Sequence, residues 1–354
     1  MDLNESVGCL RPEYIPTVSE YSEALGGYGV LFTTLGAVTT VLLYLLFFQQ
    51  IWFTYANTHK AFRRHIYWLI SIYPMVTLMC TLAMVVPRAH EICSAVKITY
   101  MSIGVGHFAD LTILMYGSEN LMLAQVNYRP LQLNVLPLCC CLPCLPKPPT
   151  SKWPLRLTVA LVYQMPITQF IYYFLAVYLN IAEVSNNTVA VILTMLNFAS
   201  FLSGVYALNV LENLVRQDLF PYRYSVKSMA LKILILTTKL QAFLFNVLGS
   251  NGVFPCLNEF ITPVVYENTL ENSVLLVEML VFGFFSYAMY SRPEFKEFLG
   301  DNEIFQNVIA KNSGPNATEM MASGQVVSDA PHASAPACKI TSNDGIFVAN
   351  SAIA

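Results

Sequence analysis

The stretch GGYGVLFTTLGAVTTVLLYLLFFQQIWFTYANTH, residues 26–59, decides the fold of this chain. It contains no Lys, Arg, Asp or Glu. A helix needs about 20 predominantly apolar residues to cross the hydrocarbon core of a bilayer, so this stretch is long enough to span a membrane. Charged residues make up only 12% of the whole chain, whereas soluble domains carry about 25%. The sequence therefore predicts an integral membrane protein.

Six further apolar runs follow the first, so the chain is predicted to be an all-α membrane protein, a seven-transmembrane helix bundle. The predicted spans are Gly29–Phe53, Ile66–Val86, Ile98–Leu123, Leu155–Ile181, Val189–Leu211, Met229–Leu248 and Val274–Tyr290. They divide the chain into an N-terminal segment (1–28), a seven-span domain (29–295) and a C-terminal tail (296–354). The tail is rich in Ala, Ser, Asn and Gly and lacks apolar periodicity, which predicts disorder.

The distribution of Lys and Arg predicts which side of the membrane each loop occupies. Cytosolic loops carry an excess of these residues, and most loops here are short enough for the rule to apply. With the N-terminus outside and the C-terminus in the cytosol, thirteen basic residues are cytosolic and three are outside, the distal tail being left out. The cytosolic set is Lys60, Arg63, Arg64, Arg129, Lys147, Lys152, Arg156, Arg216, Arg223, Lys227, Lys232, Arg292 and Lys296; the outside set is Arg11, Arg88 and Lys97. The reverse topology inverts this ratio, so the N-terminus is predicted to lie outside.

Two features of the outside segments predict covalent modification. The sequons at Asn4 and Asn186 both fall outside in this topology, so both are predicted to be glycosylated. Cys93 and Cys256 also fall outside, which would allow a disulfide between them.

A cysteine- and proline-rich loop (137–149) connects spans three and four on the predicted cytosolic side. Its four thiols are Cys139, Cys140, Cys141 and Cys144. Zinc prefers two separated ligand pairs or histidines, whereas this loop offers one pair, Cys141 and Cys144, and no histidine. Thiols beside a membrane surface, with Lys147 and Lys152 nearby, favour S-acylation such as palmitoylation. An unmodified loop and a metal site are the alternatives.

Five ionisable residues within the spans or at their ends are candidate functional groups. They are Asp110, Glu119, Glu212, Lys239 and Glu278. An ionised side chain at the bilayer centre costs about 2.5–3.5 kcal/mol on insertion scales and usually faces the bundle interior. Lys239 is predicted to be neutralised by Asp110 or Glu278; the alternative is that these groups only hold helices together. Asp110 and Glu119 are nine positions apart, so they point to opposite sides of span three unless Gly117 bends the helix.

Several motifs, taken in order, resemble the alpha subunit family of the organic solute transporter. They are Arg63-Arg64 before span two, Pro74 within it and Pro87-Arg88 after it; Tyr116-Gly-Ser-Glu119-Asn-Leu121 in span three; the Cys/Pro run at 139–144; Gln164 in span four; Leu240-Gln241 and Asn246-Val-Leu-Gly-Ser-Asn-Gly252 in span six; and Leu275-Leu-Val-Glu278-Met in span seven. The resemblance covers all seven spans and omits both terminal segments. One departure is Gln169, which stands where family members tend to place Lys or Arg.

The resemblance implies that the chain is a transporter subunit. It implies energy-independent movement of amphipathic organic anions, such as steroid conjugates and bile-acid-like lipids, across the plasma membrane, with endosomal membranes as a second location. It also implies a single-span beta-type partner, and a higher oligomer stays open. The departure at Gln169 puts the substrate in question more than the fold.

We expect the solute to pass through a lipid-facing groove between helices, where polar groups meet its headgroup and its apolar body stays against membrane lipids. The best candidates for lining this path are Glu119, Gln164, Gln241 and Glu278, with Asp110 and Lys239 as further candidates.

Three other classes of protein compete with this interpretation. A seven-helix receptor is disfavoured because Val126-Asn-Tyr-Arg129 lacks the acidic-Arg-Tyr triplet and span seven has no Asn-Pro-x-x-Tyr. An enzyme is not predicted, since His, Glu and Asp are too few and scattered for a nucleophile with its base or for a metal set. No cofactor, metal or nucleic-acid partner is predicted. A scaffold or trafficking protein is the main alternative, because a fold does not fix a function.

Overall fold

A computed structural model of the protein describes residues 14–126, 129–135, 149–182 and 187–291. Within these ranges the chain forms eight α-helices and no β-strand. The helices are α1 (Val18–Asn57), α2 (Lys60–Val85), α3 (His90–Met115), α4 (Glu119–Val126), α5 (Lys152–Ile181), α6 (Asn187–Val215), α7 (Tyr224–Ser250) and α8 (Pro263–Tyr290). Seven of them are long and apolar enough to cross a membrane, and α4 is the short exception. The predicted fold class is confirmed.

Helix α1 begins eleven residues before the predicted first span, because its start is set by a cap. The Thr17 side chain accepts a hydrogen bond from Glu20 N, and the Glu20 carboxylate accepts one from Thr17 N at 2.8 Å. This reciprocal capping box satisfies amide groups that the first helical turn leaves free. The helix is kinked at Gly26, whose φ is +52°. Because the first turns contain Glu20 and Glu23, hydropathy alone does not predict that the helix includes them.

The predicted third span, Ile98–Leu123, is divided into two helices. Helix α3 starts earlier, at His90, and ends at Met115, where Gly117 N donates to Leu114 O at 2.9 Å. Gly117 has a φ of +83°, a left-handed conformation that suits glycine and commonly ends a helix. Helix α4 then starts at Glu119 as a separate helix.

Helices α2 and α3 form the centre of the bundle. In their most apolar windows 56% and 61% of the residues are buried, against 17–28% in the other five spans. α2 packs against α1, α3 and α8, while α3 also packs against α5, which in turn packs against α6. α7 packs against α8 and touches α6 only over a short stretch. Among spans that follow one another in the chain, α6 and α7 therefore share the shortest contact.

The outward faces of the spans are apolar, as a lipid environment requires. Large exposed side chains on these faces include Leu45, Phe48, Phe174, Met195 and Leu240. Because lipid tails cannot hydrogen-bond, polar side chains are expected on the inner faces of the same helices. We call the membrane face at which α1 begins the N-terminal face, and the other the opposite face.

Candidate functional site

A lysine lies near the middle of α7, where three helices meet. Lys239 Nζ donates to Gln169 Oε1 on α5 at 2.8 Å, and Gln169 Nε2 donates to Asn197 Oδ1 on α6. The ammonium also lies over two aromatic rings, 5.6 Å from the Tyr173 centroid and 5.8 Å from the Phe201 centroid. Such cation–π contacts stabilise a charge more strongly when water is absent. We call these five residues the Lys239 cluster.

Neither predicted partner neutralises Lys239, so the pairing with Asp110 or Glu278 is wrong. Within the described ranges Lys239 forms no ion pair, and its charge meets only an amide oxygen and two ring faces. Asp110 lies five residues from the end of α3 at the opposite face, where Tyr163 donates a hydrogen bond to it. Glu278 Oε2 is buried and has no hydrogen-bond partner in the described structure. Gln169 stands where the family resemblance leads one to expect a cation, and Lys239 brings a cation to that position from another helix.

Two further candidates carry buried acceptor atoms without partners. Gln241 Nε2 donates to the backbone oxygen of Glu271 at 2.8 Å, but its Oε1 accepts no hydrogen bond from the described residues. Glu278 Oε2 likewise accepts no hydrogen bond from the described residues. Buried polar atoms in native proteins are nearly always paired, so each exception indicates an unseen partner or a functional role.

Lys97 is a second interior cation, and the sequence argument missed it. The sequence predicts Lys97 to lie in an outside loop, but it lies in α3 and is only 1% exposed. Its Nζ donates to Asn272 Oδ1 on α8 at 2.9 Å, and Asn272 Nδ2 lies 3.2 Å from His90 Nδ1. This placement could be predicted only by recognising that the helix starts at His90, which puts Lys97 two turns inside α3.

Gln164 lies in a polar seam between α5 and α6. Its Nε2 donates to Ser203 Oγ, and one turn further along α5 Thr168 forms a hydrogen bond with Ser200. Hydroxyl and amide contacts of this kind hold transmembrane helices together. The next pair between these helices is Gln169 and Asn197, which belong to the Lys239 cluster.

Glu119 lines a cavity of about 230 Å³ between α3, α4 and α5. The Arg156 guanidinium donates to both of its carboxylate oxygens, at 2.8 and 3.2 Å. Apart from this ion pair, the wall is apolar except for the hydroxyl of Tyr163. Its lining residues are Ile113, Glu119, Leu155, Arg156, Val159, Ala160 and Tyr163.

Asp110 is connected to this cavity through Tyr163, which lines it together with Glu119. The Tyr163 hydroxyl donates to Asp110 Oδ1, and Tyr163 also lines the cavity. Because the chain turns at Gly117, Asp110 and Glu119 both approach α5 instead of pointing in opposite directions. Two histidines, His65 and His107, place a ring nitrogen 3.8 Å from Asp110 Oδ2.

The predicted disulfide between Cys93 and Cys256 is wrong. Cys93 is a free, buried thiol on α3, as Cys80 is on α2. Cys256, in the segment between α7 and α8, is disulfide-bonded to a different cysteine. The burial of Cys93 explains the error. Because α3 begins before Cys93, this residue is packed in the helix bundle and is not part of an outside loop. The predicted lipidation sites Cys139, Cys140, Cys141 and Cys144 and the glycosylation sites Asn4 and Asn186 lie outside the described residues.

A bundle of seven long apolar helices with an apolar exterior defines a multi-pass membrane protein. The sequence profile of one family, the organic solute transporter Ostalpha, matches residues 32–295. The chain therefore belongs to the organic solute transporter Ostalpha family.

Similar proteins come from several animals. An organic solute transporter subunit alpha from Danio rerio is 23% identical over 74% of this chain and 82% of its own length. An organic solute transporter alpha-like protein from Drosophila melanogaster is 24% identical over 78% of this chain and 85% of its own. The alpha-like protein 2 of Caenorhabditis elegans is 25% identical over 63% and 65%, respectively. No solved structure matches the chain.

Proposed function

We propose that the chain is the alpha-type subunit of a transporter that moves amphipathic organic anions across the plasma membrane without an energy source. Steroid conjugates and bile-acid-like lipids are the proposed substrate class. The N-terminus lies outside and the tail in the cytosol, and a single-span beta-type subunit assembles with the chain. The names of its relatives, which are organic solute transporter alpha subunits and alpha-like proteins, support this assignment.

The observation that carries the proposal is the unpaired ammonium of Lys239. A cation within a membrane protein is costly unless an opposite charge or strong hydrogen bonds compensate for it. Lys239 has an amide oxygen and aromatic faces, and it has no ion pair within the described residues. A sulfate or carboxylate headgroup bound there would supply the missing charge. The Tyr173 and Phe201 rings provide flat apolar surfaces beside it, which suits a steroid body.

The orphan acceptors suit the remaining polar groups of such a solute. Gln241 Oε1 and Glu278 Oε2 both lack a donor. Hydroxyl groups of a sterol nucleus are donors, and each bond would satisfy an atom that is otherwise buried and unpaired. The short contact between α6 and α7 makes this the place where we expect an amphipath to enter from the lipid without leaving the membrane.

Tracer uptake of a steroid sulfate tests the proposal. The chain is expressed with and without co-expressed single-span partners, and flux is divided by the amount of chain at the cell surface. Lys239→Gln should lower flux at low substrate concentration by about 10- to 100-fold, since a hydrogen bond to a charged group contributes about 1.5–3 kcal/mol. Lys60→Gln is the matched control, because Lys60 is exposed at the start of α2.

Two results would overturn the proposal. Absence of flux with every partner would favour a scaffold or trafficking role on the same fold. Flux that survives Lys239→Gln while only the surface level falls would show that Lys239 holds helices together and does not bind the solute.

A further inference from the structure

Three metal-ligating side chains converge on one point near the opposite face. His65 comes from α2, and His107 and Asp110 lie one turn apart on α3. His65 Nδ1 is 3.3 Å from His107 Nδ1, and each of these nitrogens is 3.8 Å from Asp110 Oδ2. The sequence alone does not indicate this set, because His65 is 42 positions away from His107 and reaches it only through the packing of α2 on α3.

The contacts between the three groups are long for side chains held so close together. A separation of 3.8 Å is too long for a hydrogen bond between either imidazole and the carboxylate and allows only a loose ion pair with a protonated ring. The two rings share one long hydrogen bond at 3.3 Å. The carboxylate's other oxygen is already engaged by Tyr163. Three possible ligand atoms, His65 Nδ1, His107 Nδ1 and Asp110 Oδ2, therefore lie within 3.8 Å of one another.

The spacing fits a tetrahedral metal centre. Zinc binds imidazole nitrogen and carboxylate oxygen at about 2.0–2.2 Å, which places neighbouring ligand atoms about 3.3–3.6 Å apart in a tetrahedron. The three observed separations lie within a few tenths of an ångström of that range. Two histidines and one carboxylate also form a ligand set that zinc, cobalt and ferrous iron use with one or more open positions.

The surrounding residues support the ligands in the way a metal site needs. Tyr163 donates to the non-ligating oxygen of Asp110, and the Trp68 ring stacks on His107 with centroids 5.0 Å apart. Such outer contacts fix the orientation of the ligands. The side chains of His65 and His107 are 18% and 15% exposed and that of Asp110 is 33% exposed, so the site is partly enclosed and open on one side.

We propose that His65, His107 and Asp110 form a binding site for a divalent transition-metal ion of the zinc class. The ion would join α2 to α3 directly and to α5 through Tyr163. It would lie next to the cavity that Glu119 and Arg156 line, and a divalent ion would turn the local charge from negative to positive. The site does not depend on the proposed transport function, since it would hold its ion in a scaffold as well.

Metal content of the purified full chain tests this site. After dialysis against zinc chloride and buffer, the wild type should retain one ion per chain more than His65→Gln/His107→Gln, as measured by elemental analysis. The comparison cancels any zinc that the cysteine loop binds. Tyr163→Phe should weaken zinc affinity about 10- to 100-fold in titration calorimetry, the usual effect of removing an outer-shell partner. His59→Asn is the matched control, because His59 only caps α2 and asparagine can cap it as well.

A thermal melt separates a lost site from a lost fold. Zinc should raise the melting temperature of the wild type and of His59→Asn but not that of Asp110→Asn, which keeps the size of the side chain and removes its charge. Equal zinc content in the wild type and the double-histidine variant would overturn the proposal. So would equal stabilisation of the wild type and Asp110→Asn by zinc.

Discussion

At the scale of single residues, the placement of one positive charge connects the sequence to the proposed function. Lys239 could be recognised as a candidate from its position in a hydrophobic span, but its partner could not. The partner is an amide on α5, and finding it requires knowing that the middle of α7 lies beside α5 and α6. Gln241 and Glu278 were likewise found as polar residues in apolar spans, whereas their unpaired acceptor atoms are visible only in the packed structure.

Exchanging the two side chains of the Lys239–Gln169 pair tests whether the position of the charge matters. Gln169→Lys alone places two ammonium groups together in a low-dielectric site, so we expect surface level and flux to fall about tenfold or more. Gln169→Lys combined with Lys239→Gln restores one cation and one amide at the same place. We expect the double variant to recover most of the wild-type surface level and flux in biotinylation and tracer-uptake assays. A double variant no better than Lys239→Gln would mean that the helix carrying the lysine matters as much as the charge.

The cysteines provide a second prediction at this scale. Cys256 is disulfide-bonded while Cys80 and Cys93 are free. Of the remaining cysteines, only Cys9 is predicted to lie on the same outer side as Cys256. The segment that carries Cys256 also contacts the chain just before α1, because Thr262 Oγ1 donates to the backbone oxygen of Tyr14 at 3.1 Å. We therefore expect non-reducing peptide mapping to recover Cys256 linked to Cys9, and Cys93 alkylated.

Stability measurements check the same linkage independently. Cys9→Ser and Cys256→Ser should each lower the free energy of unfolding by about 2–5 kcal/mol, and the double variant should be no less stable than either single one. Cys93→Ala is the control without a disulfide. Additive losses from the two serine variants would rule out a bond between Cys9 and Cys256.

At the scale of the helices, hydropathy located the spans well and their ends poorly. The centres of all seven predicted spans lie inside observed helices. The ends differ because a helix stops where caps and turns stop it, not where the apolar run does. Thr17 and Glu20 extend α1 beyond its apolar run, and Gly117 ends α3 within what hydropathy presents as one continuous span. The break also explains how Asp110 and Glu119 reach the same neighbour.

The turn at Gly117 gives a prediction for this scale. Its φ of +83° is disfavoured for a residue with a Cβ, so Gly117→Ala should destabilise the protein by about 1–2 kcal/mol. The strain also favours continuing α3 through the turn, which would move Glu119 away from Arg156, and flux should fall with the melting temperature. Gly27→Ala is the matched control, since nothing lies within 4 Å of an added Cβ there and its φ is ordinary. A melting temperature for Gly117→Ala equal to that of the control would show that the turn tolerates a side chain.

At the scale of the whole molecule, an odd number of spans fixes the relation between the two ends. If all seven long helices cross, we expect the start of α1 and the end of α8 to lie on opposite sides of the membrane. Which side is which depends on the basic residues. Lys97 no longer counts for the outside, because it is buried in α3. By the same criterion Lys227, which is buried in α7, no longer counts for the cytosol. The asymmetry becomes stronger, since the predicted topology then has Arg11 and Arg88 outside against twelve cytosolic residues.

Epitope accessibility on intact cells tests this orientation. A tag placed before Met1 should be stained without permeabilisation, whereas a tag after Ala354 should be stained only once the membrane is opened. The positive-inside rule depends on charges near the span ends, so replacing Lys60, Arg63 and Arg64 together by Gln removes part of the signal that holds the first loop in the cytosol. We expect that variant to give a mixed population, while Lys60→Gln alone stays uniform. Staining of the C-terminal tag on intact wild-type cells would reverse the orientation, and it would place the cysteine-rich loop outside, where S-acylation by cytosolic-side chemistry does not reach it.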